Sequence, residues 1–395
     1  MTLALEGIRI LDLTRVLAGP YATMILADLG AEVIKLEMPG HGDDARAFPP
    51  HVAGESAYFM SLNRNKRSMT LNLKQEAGKQ LFRDLIKKVD VVVENFRPGT
   101  MKRLDLDYDS LKTINPGLIY AAASGFGQTG PYRQRAAYDA IVQAMGGVMS
   151  ITGPAGGPTT RIGTSMGDIT AGMFTAIGIL AALRYRDQTG QGQMVDVSML
   201  DSQVAILENA IARYAVTGTI PEPIGNRHPS IVPFESFATA DSQIMIAAGN
   251  DVLWTKLCEA LGIEDLVDNP LYESNELRID NYVKLRPLLA APILTKTTKE
   301  WQTILDNAGV PNGPINNVAQ VMQDPQVQAR EMIIPVNHPS AGILNMPGIP
   351  IKLSETPGSI RQPAPLLGQH TDEILANIFG YSPEEIGALK ANDIF

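Results

Sequence analysis

Apolar positions recur along this chain in two alternating rhythms. Short β-branched or apolar runs at Ile8–Leu13, Ala31–Leu36, Val91–Val93 and Leu118–Ala123 predict buried strands. Between them the spacing turns helical, as in Leu81, Phe82, Leu85 and Ile86 of the segment Lys79–Lys88. Tyr21–Leu29 predicts a helix opened by Gly19-Pro20, where the missing proline N–H costs nothing, and closed at Gly30. Leu104–Ile114 predicts another, followed by the Asn115-Pro116-Gly117 turn. Strands and helices alternating at these intervals predict an α/β fold with a doubly wound parallel sheet.

The pattern then changes. Tyr138–Met149, Asp168–Arg184 and Leu200–Val216 predict helices, with a strand at Met194–Val197 between the last two. Gly, Pro, Asn and Arg crowd Thr217–Pro233, which sets the expected division: a large domain over 1–216, a linker over 217–233 and a smaller α+β domain over 234–325. The smaller domain should hold the strand Ile244–Ala248 and helices near Val252–Leu261, Tyr282–Leu294 and Lys299–Asn307. Residues 326–395, rich in Pro and Gly and ending in a helix at Thr371–Ile378, are expected to return over the large domain and complete it.

Composition narrows the class of protein. With 395 residues, 45% of them hydrophobic and 19% charged, the chain can bury more than one core and is not disordered. A net charge of −9 argues against a nucleic-acid binder. A single cysteine, Cys258, excludes a disulfide framework and any multi-cysteine metal site. Met1–Gly7 lacks the basic-then-apolar pattern of a signal peptide, and the apolar run Ile169–Leu183 is short for a bilayer. The expectation is a soluble, cytoplasmic enzyme.

Among short motifs, Gly125-Phe126-Gly127-Gln128-Thr129-Gly130 fits a dinucleotide fingerprint, but Pro131 and the polar Tyr132–Arg135 follow where a helix should begin. A loop near a polar ligand is the better reading. The five histidines are scattered, so no metal site is expected. The informative segment is Arg161–Gly172, in which Asp168 stands directly before a long helix of small and apolar residues. One reading makes Asp168 an N-cap. The other makes it a sheltered nucleophile, held ionised by helix N–H groups beside glycines whose amides are free for an oxyanion. Two cation groups, Asn63–Arg67 with Lys74, and Arg97 with Lys102-Arg103, suit a phosphate-bearing ligand or a solvated face.

Taken together, these segments resemble the family III CoA-transferases, the CaiB/BaiF type. The resemblance rests on Leu11–Pro20, Gly30–Lys35, Gly42-Asp43-Asp44, Asn63–Lys66, Val93–Gly99, Gly127–Pro131, Tyr138-Asp139, Gly225–Pro229, Val310–Pro314 and Pro365–Thr371. Thr14–Pro20 and Ile315–Asn317 are most similar to the succinate–hydroxymethylglutarate enzyme of that family, His41–Asp44 and Gly225–Pro229 to the acetyl-CoA:oxalate enzyme.

The resemblance implies a Rossmann-like large domain built from both chain ends, an inserted small domain, and an interlocked homodimer of ring-shaped subunits. It implies transfer of CoA from an acyl-CoA to a small, dicarboxylic acid, with Asp168 as nucleophile, through aspartyl anhydride and aspartyl-CoA intermediates. No tightly bound cofactor is implied; CoA and acyl-CoA are substrates. Val16, Leu71, Lys74, Asn95, Phe96, Arg103 and Tyr138 match positions lining the CoA site of the formyl-CoA enzyme, and Arg97 lies in the same stretch. Leu17, Met38 and Ala136 replace a Gln, an Arg and a Lys of that enzyme, and the loss of the Gln, which lies by the reacting acyl group, argues against formyl-CoA as donor. Arg227 and His228 suit either an acceptor carboxylate or loop stabilisation. The alternative is a 2-methylacyl-CoA racemase, which needs an acid/base pair; where racemases carry a His before the Asp, this chain has Tyr138.

Overall fold

The computed structural model describes residues 2–395; Met1, where the N-terminal reading begins, lies outside them. Six strands form one parallel sheet: β1 (Arg9–Asp12), β2 (Glu32–Glu37), β3 (Lys66–Thr70), β4 (Val91–Glu94), β5 (Ile119–Ser124) and β6 (Met194–Ser198). Their order is β3-β2-β1-β4-β5-β6, that of doubly wound nucleotide-binding sheets. The sequence reverses direction between β1 and β4, where Asp12 stands opposite Val93. In such a sheet, ligands bind outside the carboxyl ends of the strands at that reversal.

The apolar runs become strands because both faces of the sheet are covered. On one side Leu11, Ile34, Phe82 and Leu85 join a buried cluster; on the other Ile10, Val33, Val91 and Ala121 join a second. Helix α1 (Ala18–Asp28) and the long helix α2 (Met166–Thr189) pack together on the second face. Their approach is close: a Cβ on Gly172 would stand 2.7 Å from the Ala18 carbonyl oxygen. Helix α2 is long and apolar enough to cross a membrane, yet half of its apolar window is buried in this layer.

Two helices read as continuous are broken. Of the expected helix Leu104–Ile114 only Tyr108–Leu111 is helical, and a separate short helix, Thr100–Arg103, precedes it, because Asp105 between them takes a left-handed φ of +59° and Asp107 caps the later helix. Leu200–Val216 is interrupted at Ile206-Leu207. Strand β3 was hidden by its charges: Lys66 and Arg67 read as surface cations, yet Lys66 is wholly buried.

The chain divides into two compact units. The first holds residues 1–149, 161–218 and 326–395; the second holds Ser150–Thr160 and Thr219–Pro325. The division differs from the sequence expectation in placing Ser150–Thr160 with the second unit. In the first unit the C-terminal stretch is tied to β3, where the His370 N–H donates to the Ser68 carbonyl at 2.9 Å. The second unit has a three-stranded antiparallel sheet around Trp254 and Trp301. There the His228 ring stacks on Phe234 and Arg227 covers the Tyr282 ring at 4.2 Å, contacts that stabilise their loop.

Candidate active site

The carboxyl ends of the strands carry a buried charge network that fixes the backbone above it. Asp12, last in β1, accepts from Thr23 at 2.7 Å, from Lys66 Nζ at 3.0 Å, and from the Thr14 hydroxyl. Burial opposes its charge, but Lys66 and Lys35 outweigh that and hold the carboxyl at about 2. Lys35 Nζ reaches the Thr14 carbonyl at 2.8 Å and Asp43 at 2.8 Å, fully shielded from solvent. An ion pair this deep loses much if one partner is removed, since the other is left buried and unpaired.

Above this network Val16 takes φ +68°, a left-handed conformation that a β-branched residue adopts at a cost. Two side chains hold it there. The Val16 N–H donates to Asp43 Oδ1 at 3.0 Å. Asn95, just past β4, accepts from the Arg15 N–H at 2.9 Å and donates to the Arg15 carbonyl at 2.7 Å. This latch spans the reversal point of the sheet.

Two cavities flank the latch and share Arg15 and Phe96 as lining residues. One, of about 340 Å³, follows the ends of β1 to β4 and is lined by Met38, Leu71, Lys74 and Arg103 among others. The other, of about 270 Å³, is lined by Val16, Asn95, Arg97, Tyr138 and Asp168, with Arg133 and Arg135. All nine site residues expected from the sequence therefore line one or the other. Lys74 and Arg103 are exposed and have no carboxylate partner among the described residues, and Tyr138 is 79% exposed on the rim. Sequence reasoning missed Arg15, Arg133 and Arg135; Arg15 lies within the family-like stretch Leu11–Pro20, and the other two in the loop after the glycine-rich stretch.

Four expectations need correction. Asp168 is not an N-cap: α2 begins at Met166, and Asp168 lies in its first turn. Nor is it held ionised. Burial first, then the Asp139 carboxylate, push it up to about 7, against one backbone N–H from Ala18. The amide of Gly167 is not free either, because it donates to Asp139 Oδ1 at 2.8 Å. Finally, Arg64, Lys66 and Arg67 are no phosphate ligands. Arg64 pairs with Asp28 at 2.7 Å, Lys66 with Asp12 at 3.0 Å, and Arg67 with Glu32 at 2.8 Å and Glu373 at 2.9 Å.

The motif Gly125–Gly130 follows β5 rather than β1, and the next α-helix starts only at Asp139. It therefore lacks the helix N-terminus on which a dinucleotide pyrophosphate rests. Instead, the Gln128 N–H donates to Asp196 at 3.0 Å and Gly125 lines the Asp168 cavity.

Comparison with known proteins agrees with this geometry. The family model described as CoA-transferase family III matches residues 5–371. Human succinyl-CoA:glutarate CoA-transferase is 42% identical over 98% of this chain and 88% of its own length. Acetyl-CoA:oxalate CoA-transferase of Acetobacter aceti is 45% identical over 88% of this chain and 89% of its own. The crystal structure of a CAIB/BAIF family protein from Brucella suis superposes with a TM-score of 0.86 at 38% identity, covering 96% of this chain and all of that one. On these grounds the chain belongs to CoA-transferase family III and is an enzyme of CoA transfer, acting on CoA thioesters.

Proposed function

We propose that this enzyme moves CoA from an acyl-CoA thioester to a small dicarboxylic acid, with Asp168 as the nucleophile. The observation that carries this reading is the position of Asp168: a half-buried carboxyl on the wall of a cavity that shares Arg15 and Phe96 with a second, cation-bearing cavity at the reversal of the sheet. Lys74, Arg103 and Leu71 would hold the nucleotide end of CoA, and Val16, Asn95, Phe96, Arg97 and Tyr138 the arm leading to Asp168.

In this mechanism a carboxylate oxygen of Asp168 attacks the thioester carbonyl carbon. The C–S bond breaks, CoA leaves as thiolate, and a mixed anhydride forms. The thiolate attacks the aspartyl carbonyl of that anhydride, releasing the donor acid and leaving an aspartyl-CoA thioester. The acceptor carboxylate then attacks the aspartyl carbonyl and expels the thiolate again. Attack of the thiolate on the acceptor's acyl carbon yields the new acyl-CoA and restores Asp168. Each bond broken is an activated thioester or anhydride, so no nucleoside triphosphate is required. A desolvated carboxyl titrating near neutrality suits this role, because its anion is more basic than that of a solvated aspartate.

One named relative pairs succinyl-CoA with glutarate and the other pairs acetyl-CoA with oxalate, which supports a short dicarboxylic acceptor. An interlocked homodimer in the cytoplasm completes the reading. The exposed apolar side chains Met173, Phe174 and Ile177 on α2 suit such an interface, and sedimentation at twice the monomer mass is expected. The deciding experiment is intact-protein mass spectrometry after mixing with succinyl-CoA. A CoA adduct on Asp168, removed by hydroxylamine and absent from Asp168→Ala, is expected. Full transferase activity in Asp168→Ala would overturn the mechanism.

A further inference from the structure

The cavity beside Asp168 carries positive charge that the catalytic carboxyl does not use. Four arginines line it, and of these only Arg15 is ion-paired among the described residues, to Asp44 at 3.2 Å. Arg97, Arg133 and Arg135 face no carboxylate at ion-pair distance. In a chain of net charge −9, unpaired like charges gathered on one cavity wall repel each other until an anion arrives.

Arg135 is held in place by apolar contacts. Its guanidinium lies 4.8 Å from the Tyr132 ring centroid and 5.5 Å from that of Phe126. Stacking leaves the in-plane N–H donors available, the edge a carboxylate engages bidentately. The segment is anchored as well: the Arg135 N–H donates to the Tyr132 carbonyl at 2.8 Å, and Gln134 Nε2 to the Pro98 carbonyl at 3.4 Å.

Two observations say where that anion sits. The arginines do not serve Asp168 itself, whose carboxyl is pushed up by burial and Asp139 with no guanidinium offsetting them. Nor do Arg133 and Arg135 line the other cavity, with Lys74 and Arg103. Asp168 and these arginines line one cavity, so an acyl group bound by its thioester carbonyl at Asp168 would lie within their reach. If that acyl group ends in a second carboxylate, it brings a charge there that a monocarboxylic chain lacks.

We propose that Arg133 and Arg135 bind the distal carboxylate of the dicarboxylic substrate and so determine selectivity for dicarboxylic over monocarboxylic acids; this rests on the transfer reaction proposed above. A CoA phosphate is the other anion that could satisfy the same donors, and the test separates the two. With one acyl-CoA donor held constant, kcat/KM is measured for glutarate and for butyrate as acceptors, and the Kd of free CoA is measured alongside.

For Arg133→Gln/Arg135→Gln, the glutarate-to-butyrate ratio should fall about 10- to 100-fold, the worth of one or two charged hydrogen bonds, with the CoA Kd unchanged. Arg135→Lys, a point charge without the fork, should give an intermediate ratio, and it stands in if the double variant does not fold. An unchanged ratio in both variants, or a weakened CoA Kd with the ratio intact, overturns the assignment. Wild-type enzyme that transfers CoA to no acid would instead defeat the underlying reaction.

Discussion

Two groups of cations in the first unit stand in opposite settings. Arg64, Lys66 and Arg67, on and just before β3, are each paired with a carboxylate, and Lys66 is wholly out of solvent. Lys74 and Arg103, at the open ends of the same sheet, are exposed and face no carboxylate among the described residues. In composition the groups are indistinguishable. The difference is where the strand ends: a cation inside the sheet must bring its own counter-ion, whereas one past the carboxyl edge can wait for a ligand's. Charge without a partner, rather than charge itself, sets apart the residues proposed to hold CoA.

The largest expected effect falls on the buried group. Lys66→Met removes the ammonium that balances Asp12 and should cost about 3–5 kcal/mol, read as a lowered denaturation midpoint. A midpoint equal to wild type would erase the distinction between the groups. On the exposed side, Arg103→Ala should raise the KM for the acyl-CoA by about 10-fold while leaving the midpoint unmoved. A destabilised but kinetically normal variant would reverse the assignment.

The Asp168 carboxyl sharpens the contrast, because it is sheltered yet unpaired. In the proposed mechanism its ionised form attacks, so kcat/KM for the donor should climb about tenfold per pH unit below about 7 and level off above. A profile flat from pH 5 to 8 would contradict that. The smallest effect concerns stability. The folded carboxyl titrates higher than it would in the unfolded chain, so the folded state holds its proton more tightly and stability falls as pH rises from the ordinary aspartate range through about 7. Asp168→Asn should therefore raise the Tm at pH 8 by roughly 2 °C and lose that advantage near pH 4.

Much of this was legible in the sequence, for identifiable reasons. The β1, β2, β4 and β5 strands announce themselves because both faces are buried and their residues run apolar. Asp168 is visible because a lone acid abuts a long apolar helix. Lys74 and Arg103 stood out only as members of cation groups, and the family resemblance singled them out together with Tyr138, which no local pattern marks. What stayed hidden depends on residues distant in sequence. Strand β3 reads as polar because its lysine is neutralised by Asp12, 54 positions away. The carboxyl shift at Asp168 comes from burial and from Asp139. Asn95 reads as a ligand contact, yet both ends of its amide are bonded to the backbone of Arg15, 80 positions earlier.

The contorted valine at position 16 ties catalytic competence to the completeness of the fold. It is restrained by Asp43, from beyond β2, and through its neighbour by Asn95, from beyond β4, so both halves of the sheet must be docked before the wall at Arg15 and Phe96, common to the two cavities, takes shape. In the proposed site, a chain with one half loosened would keep its helices and lose its grip on the thioester. Substrate affinity is thus a more sensitive gauge of damage to this protein than its helical content.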